Sequence, residues 1–300
     1  AALLRLWGLE RGDTMNDEVF YAFRAIGPLD FDAAEFQTTP IEWFDPEAPS
    51  WTKLSFHDHP PLVFWVQHFF MKIFGENTWT FRLPSALLGI ASVYLLYLLG
   101  AQLYSYRVGL LSAGFMAVTL NHVYISRTGL QESYVIFFLL LASYFFLRSL
   151  RRDSYFIWTG IALGLGLLAK FTLFILVPIF LTYLLLFRRE HFRRVKFWMG
   201  ASLPLLIFSP VVIYNCKLFQ AVGHFDFQFS HLFGQNPEVW REQPGKEIGT
   251  LLERARVFIP RLISTHSWLF LTGAGSSVLA FLASLVQRFR ETLRTHAFLL

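Results

Sequence analysis

Residues 83–104 read LPSALLGIASVYLLYLLGAQLY, a run without a single Asp, Glu, Lys or Arg. A helix needs roughly 20 apolar residues to cross the hydrocarbon core of a bilayer, and about 17 suffice for a short span. This run meets that length, and its reading decides the class of fold. Working outward, charge-free stretches at 108–126, 171–187, 197–216 and 262–287 meet it as well. Two shorter ones, 133–147 and 154–169, become adequate if Glu132, Arg148 and Lys170 snorkel at the interfaces. The expectation is an all-α polytopic membrane protein with about seven full spans, preceded by the end of an earlier one at residues 1–9.

Composition agrees: 54% of the 300 residues are hydrophobic, 18% are aromatic and only 16% are charged, and the mean hydropathy is +0.44. That balance excludes an ordinary soluble domain. With Cys216 alone, no internal disulfide can form. The chain opens AALLRLWGLERGD and stops inside HAFLL, which reads as a piece cut near the end of a first span and again further on.

Alternating the spans segregates the loop charges. One side receives Arg107, then Arg148, Arg151 and Arg152, then RREHFRRVK at 188–196 and RFRETLR at 288–294. The other receives the acidic 10–58 segment, SRTGLQE at 126–132, Lys170 and the loop at 217–260. The positive-inside rule makes the basic side cytoplasmic, so the net charge of +5 requires no nucleic acid. The apolar run at 62–74 is too short to span, and counting it would invert every later loop; it reads as an interfacial or re-entrant helix on the outer face. The organisation is therefore the end of a first span (1–9), an outer loop with an acidic pair and a juxtamembrane helix (10–82), and a helix bundle (83–216). An outer loop with an amphipathic helix near 245–256 (217–260) and a further span with a basic cytoplasmic loop (261–300) follow.

The unusual polar groups gather at the outer ends of spans, in NDEVFYAFR at 16–24, FHDHPPL at 56–62, FRLPSALLG at 81–89 and SRTGLQES at 126–133. Asp17 and Glu18 adjoin an apolar stripe of Val19, Phe20, Phe23 and Ile26. Such a setting tunes a carboxylate toward general-base work, although the first turn of any helix also favours acidic residues. His57, Asp58 and His59 are metal-ligand types, but alternate residues of an extended chain diverge and no second cluster has ligand spacing, so no metal or other cofactor is expected. Pro60 and Pro61 suit an extended approach and the first turn of the following helix, which would fix His59 at the mouth of the membrane segment. Arg82, Arg127 and Lys170 are outer-side cations that either meet lipid phosphates nonspecifically or converge on one anionic ligand. The outer-loop aromatics Trp43, Phe44, Trp51, Phe56 and Trp79 suit an interfacial belt, with sugar stacking as the second reading. FDFQFSHLF at 225–233 alternates as a short strand or an extended lid does.

Taken in order with KIFGENTWTFRLPSALLG at 72–89, GLGLLAKFT at 164–172 and PVVIYN at 210–215, these motifs make the chain resemble the family 39 glycosyltransferases. That group covers the dolichyl- and polyprenyl-phosphate-mannose protein mannosyltransferases, is related to the lipid A aminoarabinose transferase, and has the GT-C membrane fold. The resemblance implies inverting transfer of one sugar from a polyprenyl-phosphate-linked donor to a protein, lipid or glycan acceptor on the extracytoplasmic face of the bilayer. It implies that Asp17 is the base, that Glu18 orients a substrate, and that Glu132 is the acidic residue following the SR arginine. It places Arg82 near the carrier phosphate and His59 where some relatives have a phosphate-contacting lysine. His57, Arg127 and Lys170 complete the expected substrate-binding set. A carrier or flippase for lipid-linked sugars is the alternative, as is a noncatalytic subunit of a glycan-assembly complex. The span centres are nearly charge-free, whereas transporters place polar sites near the midplane.

Overall fold

A computed structural model of the protein describes residues 1–14, 16–29 and 47–235, with isolated residues between 256 and 287. The chain divides into two units, Ala1–Pro237 and Glu238–Leu300. The described residues of the second are all helical. The expected amphipathic helix at 245–256 and span at 262–287 lie wholly or largely outside the described residues.

Every regular element described in the first unit is helical. In chain order these are α1 (Ala2–Leu6), α2 (Asn16–Ile26), α3 (Leu62–Phe74), α4 (Thr78–Leu103), α5 (Tyr106–Val118) and α6 (Leu120–Ser126). They continue with α7 (Glu132–Ser149), α8 (Tyr155–Ala169), α9 (Leu176–Phe187), α10 (Val195–Ile207), α11 (Ser209–Val222) and α12 (Phe227–Leu232). Local chemistry sets the boundaries. Gly75, at φ 90°, ends α3 in a conformation that only glycine adopts freely. Two residues later the Asn77 side chain accepts the Thr80 N–H at 3.0 Å and opens α4. The expected strand at 225–233 is instead the helix α12, because Asp226 caps it by accepting the Phe229 N–H at 2.8 Å.

The main core joins Val63 of α3, Tyr134, Phe138 and Ala142 of α7, and Ala162 and Leu163 of α8 with Leu173 and Leu176. α8 and α10 meet backbone to backbone: a Cβ added at Gly160 would run into the Gly200 carbonyl, and one at Gly200 into that of Phe156. Small residues permit this approach where lipid offers no hydrophobic drive between helices.

The expected count of spans is corrected. Among the described residues, two helices are long and apolar enough to cross a membrane, Thr78–Leu103 and Glu132–Ser149, and up to four spans result if each bent helix pair is one. The pairs are α5 with α6, bent by 65°, and α10 with α11, bent by 42°. The charge-free runs therefore do not all form straight spans. At the first bend the carbonyls of Met116 and Ala117 are freed and accept N–H groups from Arg5 at 3.2 and 3.0 Å. A break is tolerated in an apolar setting where its backbone groups find such partners. Helix α8, at 15 residues, rises only about 22 Å against a hydrocarbon core of roughly 30 Å.

Candidate active site

The four polar motifs, far apart in sequence, meet around one face of α2. The residue that turns inward first is Glu18, which is completely buried. Its carboxylate accepts Arg82 Nε–H at 2.6 Å and Nη2–H at 2.9 Å, and it also accepts the Gly129 N–H at 2.8 Å. The remaining Arg82 hydrogens go to the carbonyls of Leu9 (3.1 Å), Arg11 (3.3 Å) and Asp13 (3.2 Å). A guanidinium has five N–H donors in a fixed fork, and here each has an acceptor. Gly129 must lack a side chain, because a Cβ there would enter the Phe81 ring.

One helical turn further along α2, the Tyr21 hydroxyl stands 2.9 Å from His59 Nε2. The other imidazole nitrogen, Nδ1, lies 2.9 Å from Asp58 Oδ2, close in distance but off the alignment of a good hydrogen bond. Asp58 Oδ1 accepts Arg24 Nη1–H at 2.7 Å, and Arg24 lies over the rings of Phe56 and Phe64, 5.1 and 5.7 Å from their centroids. Burial opposes charge on Asp58, but Arg24, His57 and His59 overcome it and hold the carboxyl well below its ordinary range. The Tyr21 phenol is pushed upward by burial and by the Asp58, Glu132 and Asp17 carboxylates, with Arg24 opposing, so it stays protonated. With the His59 proton on Nδ1 toward Asp58, Nε2 accepts the Tyr21 O–H.

Asp17 is exposed on the same helix and makes no hydrogen bond or ion pair among the described residues. Glu132, in the first turn of α7, pairs with Lys170 just past α8, Nζ to Oε1 2.7 Å, and both are partly open to solvent. His57 is buried, with Nδ1 3.4 Å from Arg24 Nη2. Arg127 lies apart from these groups: it donates to the carbonyls of Leu4, Trp7 and Gly8, at 3.1, 2.8 and 2.6 Å, and so satisfies the C-terminal end of α1. The structure thus brings Asp17, Glu18, Glu132, His57, His59, Arg82 and Lys170 into one neighbourhood. Arg82 and Arg127 are both spent on protein carbonyls, and Arg82 also on Glu18.

Sequence reasoning missed Tyr21 and Arg24. Their signal was available, since Glu18, Tyr21 and Arg24 follow one another at i, i+3 and i+6 on one face of a helix. The apolar stripe drew attention instead, yet Phe20 is 56% exposed and Phe23 is 39% exposed. The inward face of α2 is a mixed one, made by Glu18, Tyr21, Arg24 and Ala25.

Beside the site lies a cavity of about 360 Å³, between α3, α4, α7 and α8. Its walls are apolar, among them Leu62, Val66, Pro84, Leu88 and Leu165, apart from Tyr134. The Tyr134 hydroxyl is buried without a hydrogen-bond partner among the described residues. No group of three His, Cys, Asp or Glu side chains placed to hold a metal occurs among the described residues.

Residues 58–214, more than half of the chain, match the family described as dolichyl-phosphate-mannose-protein mannosyltransferase. Two Bacillus subtilis (strain 168) proteins assigned as mannosyltransferases are similar. YycA is 30% identical over 210 residues, covering 69% of this chain and 29% of its own length. YkcB is 27% identical over 197 residues, covering 62% and 25%. An uncharacterized protein of Aquifex aeolicus (strain VF5) is 30% identical over 155 residues, covering 49% of this chain and 31% of its own. The chain thus spans under a third of the length of these relatives. No solved structure matches.

Proposed function

The chain belongs to the dolichyl-phosphate-mannose-protein mannosyltransferase family, and from that premise we propose that it carries the catalytic end of a membrane glycosyltransferase. The reaction moves one sugar from a polyprenyl-phosphate donor to a hydroxyl acceptor on the extracytoplasmic side. The observation that carries this reading is the acidic surrounding of Tyr21, whose hydroxyl bonds the His59 that lies beside Asp58 and whose phenol is pushed upward by Asp58, Glu132 and Asp17 as well as by burial. Of the three carboxylates Asp17 alone is exposed and makes no ion pair among the described residues.

The chemistry follows from that arrangement. The acceptor oxygen attacks the anomeric carbon, the bond from that carbon to the phosphate oxygen breaks, and the configuration inverts. Asp17 takes the acceptor proton, which a positioned base contributes at roughly 10²–10⁴-fold. The departing phosphate keeps the electron pair and needs positive charge where its own develops. Lys170 is the charged group for this role, because it stays partly open beside Glu132, while His59, aligned by Tyr21, is a polar contact for the donor headgroup. Glu18 and Arg82 hold the frame rather than the substrate, while His57 backs Arg24. The wall of the apolar cavity begins at Leu62, three residues after His59, which supports a donor with a hydrocarbon tail.

Full-length protein in vesicles, supplied with radiolabelled polyprenyl-phosphate sugars, tests the proposal. Wild type is expected to move label to an acceptor, and Asp17→Asn to lose at least about 100-fold of that rate. If no donor gives up its label, yet labelled lipid changes leaflet only in the presence of the protein, the carrier replaces the transferase.

A further inference from the structure

Helices α11 and α12 lie outside the site just described, yet they contain two buried polar side chains that bond to each other. The chain reverses after α11 at Gly223, whose left-handed φ of 81° brings Asp226 back beside Asn215. Asn215 Nδ2–H donates to Asp226 Oδ2 at 2.8 Å, and the Asp226 N–H donates to Asn215 Oδ1 at 2.9 Å. The other Asp226 oxygen caps α12, and Asn215 Nδ2 also donates to the Val211 carbonyl at 3.0 Å. The pair is therefore a closed clasp rather than a surface contact.

The clasp has a downstream effect. It fixes the start of α12, and the first N–H of that helix, from Phe227, donates to the His57 carbonyl at 2.7 Å. The neighbouring side chains of α11, Tyr214 and Leu218, pack on Trp51 and Leu54. Helices α11 and α12 thus hold the 51–59 stretch at Trp51, Leu54 and His57. Within that stretch the Phe56 N–H reaches the His59 carbonyl at 3.2 Å, so a shift of His57 moves His59 with it.

We propose that Asn215 and Asp226 are positioning residues: through the Phe227 N–H they set the His57–His59 turn and keep the His59 imidazole at the Tyr21 hydroxyl. This goes beyond the transferase reading and holds whatever reaction the site performs. It makes the segment leading into the outer loop a support for the site.

Carbethoxylation of His59 by diethyl pyrocarbonate, read residue by residue by mass spectrometry on full-length protein in detergent, tests it without any activity assay, with His68 as internal reference. Asn215→Asp sets carboxylate against carboxylate, and Asp226→Asn sets amide against amide. Each is expected to raise His59 labelling relative to His68 by about tenfold, the equilibrium worth of one buried hydrogen bond. The exchange of both residues restores a donor–acceptor pairing between the two side chains while giving up the bond to Val211, and is expected to return labelling toward wild type. Phe227→Pro keeps the clasp and removes the N–H, at a first helical position where proline is accepted, and is expected to raise labelling as the single variants do. Unchanged His59 labelling in Phe227→Pro, or an exchanged protein no better protected than the single variants, would overturn the proposal. Single variants that do not fold beside an exchanged protein that does, with wild-type labelling of His59, would support it.

Discussion

Two of the acid–base pairs near Tyr21, Glu18 with Arg82 and Glu132 with Lys170, differ in almost every physical respect. Glu18 and Arg82 are both buried, joined by two hydrogen bonds, and surrounded by further bonds from Gly129 and to the carbonyls of Leu9, Arg11 and Asp13. Glu132 and Lys170 share one contact of 2.7 Å, with 40% and 31% of their side-chain surfaces open. In the first pair no donor remains for a ligand, and desolvation has been met entirely by the protein. In the second the lysine has further donors and faces solvent. A charged residue conspicuous in a sequence thus serves either the frame or the substrate, and saturation of its hydrogen bonds separates the two.

The largest expected effect lies in the saturated pair. Glu18→Gln leaves the Arg82 charge buried without its counter-ion, which costs about 3–5 kcal/mol, and thermal unfolding in detergent should show it; an unchanged midpoint would erase the contrast. Its immediate neighbour should behave oppositely. Asp17→Asn, at an exposed position, is expected to change stability by no more than about 0.5 kcal/mol while sugar transfer collapses as described above. Equal losses of stability in both variants would break the comparison between adjacent residues.

A third effect depends on pH. The carboxyl of Asp58 is held well below its ordinary range despite burial, by Arg24 first and then by His57 and His59. A depressed pKa in the folded state contributes stability that is complete above the unfolded value of about 3.9 and lost as pH falls toward the folded one. The stability gap between wild type and Asp58→Asn is therefore expected to be full at about pH 5 and to close below about pH 4. A gap that grows between those two values would reverse the sign. The smallest effect belongs to the open pair: Lys170→Ala should cost less than about 1 kcal/mol, and less still in high salt.

Much of the site was legible because its residues violate the composition around them. Asp17, Glu18, His57, His59, Arg82, Glu132 and Lys170 are polar groups at the ends of apolar runs, and the structure draws them together. The bounds of α3 were legible too, since its apolar run ends at a glycine. What sequence did not disclose depends on close approach. Helix α2 turns a mixed face inward, with Tyr21 and Ala25 packed against Phe56, Phe64, Met71 and Phe81 and with Glu18 and Arg24 meeting buried charges, whereas amphipathic reasoning assumes an apolar face alone. The break between α5 and α6 falls at Thr119 inside a charge-free run, and what satisfies it is Arg5, more than a hundred residues away. Asn215 closes PVVIYN and Asp226 lies in FDFQFSHLF, but neither stretch points to the other, and their pairing arises only when the chain turns back at Gly223.

Arg5 also has a history in time. It is fully buried, and the acceptors for it at Met116 and Ala117 are 111 and 112 residues later in the chain. A ribosome adding roughly 5–20 residues per second takes on the order of ten seconds to reach them. For that interval the guanidinium must stay in water or borrow another acceptor, so α1 can settle only after α5 and α6 have emerged. Helix α1, made before α5 and α6, is thus locked only after them.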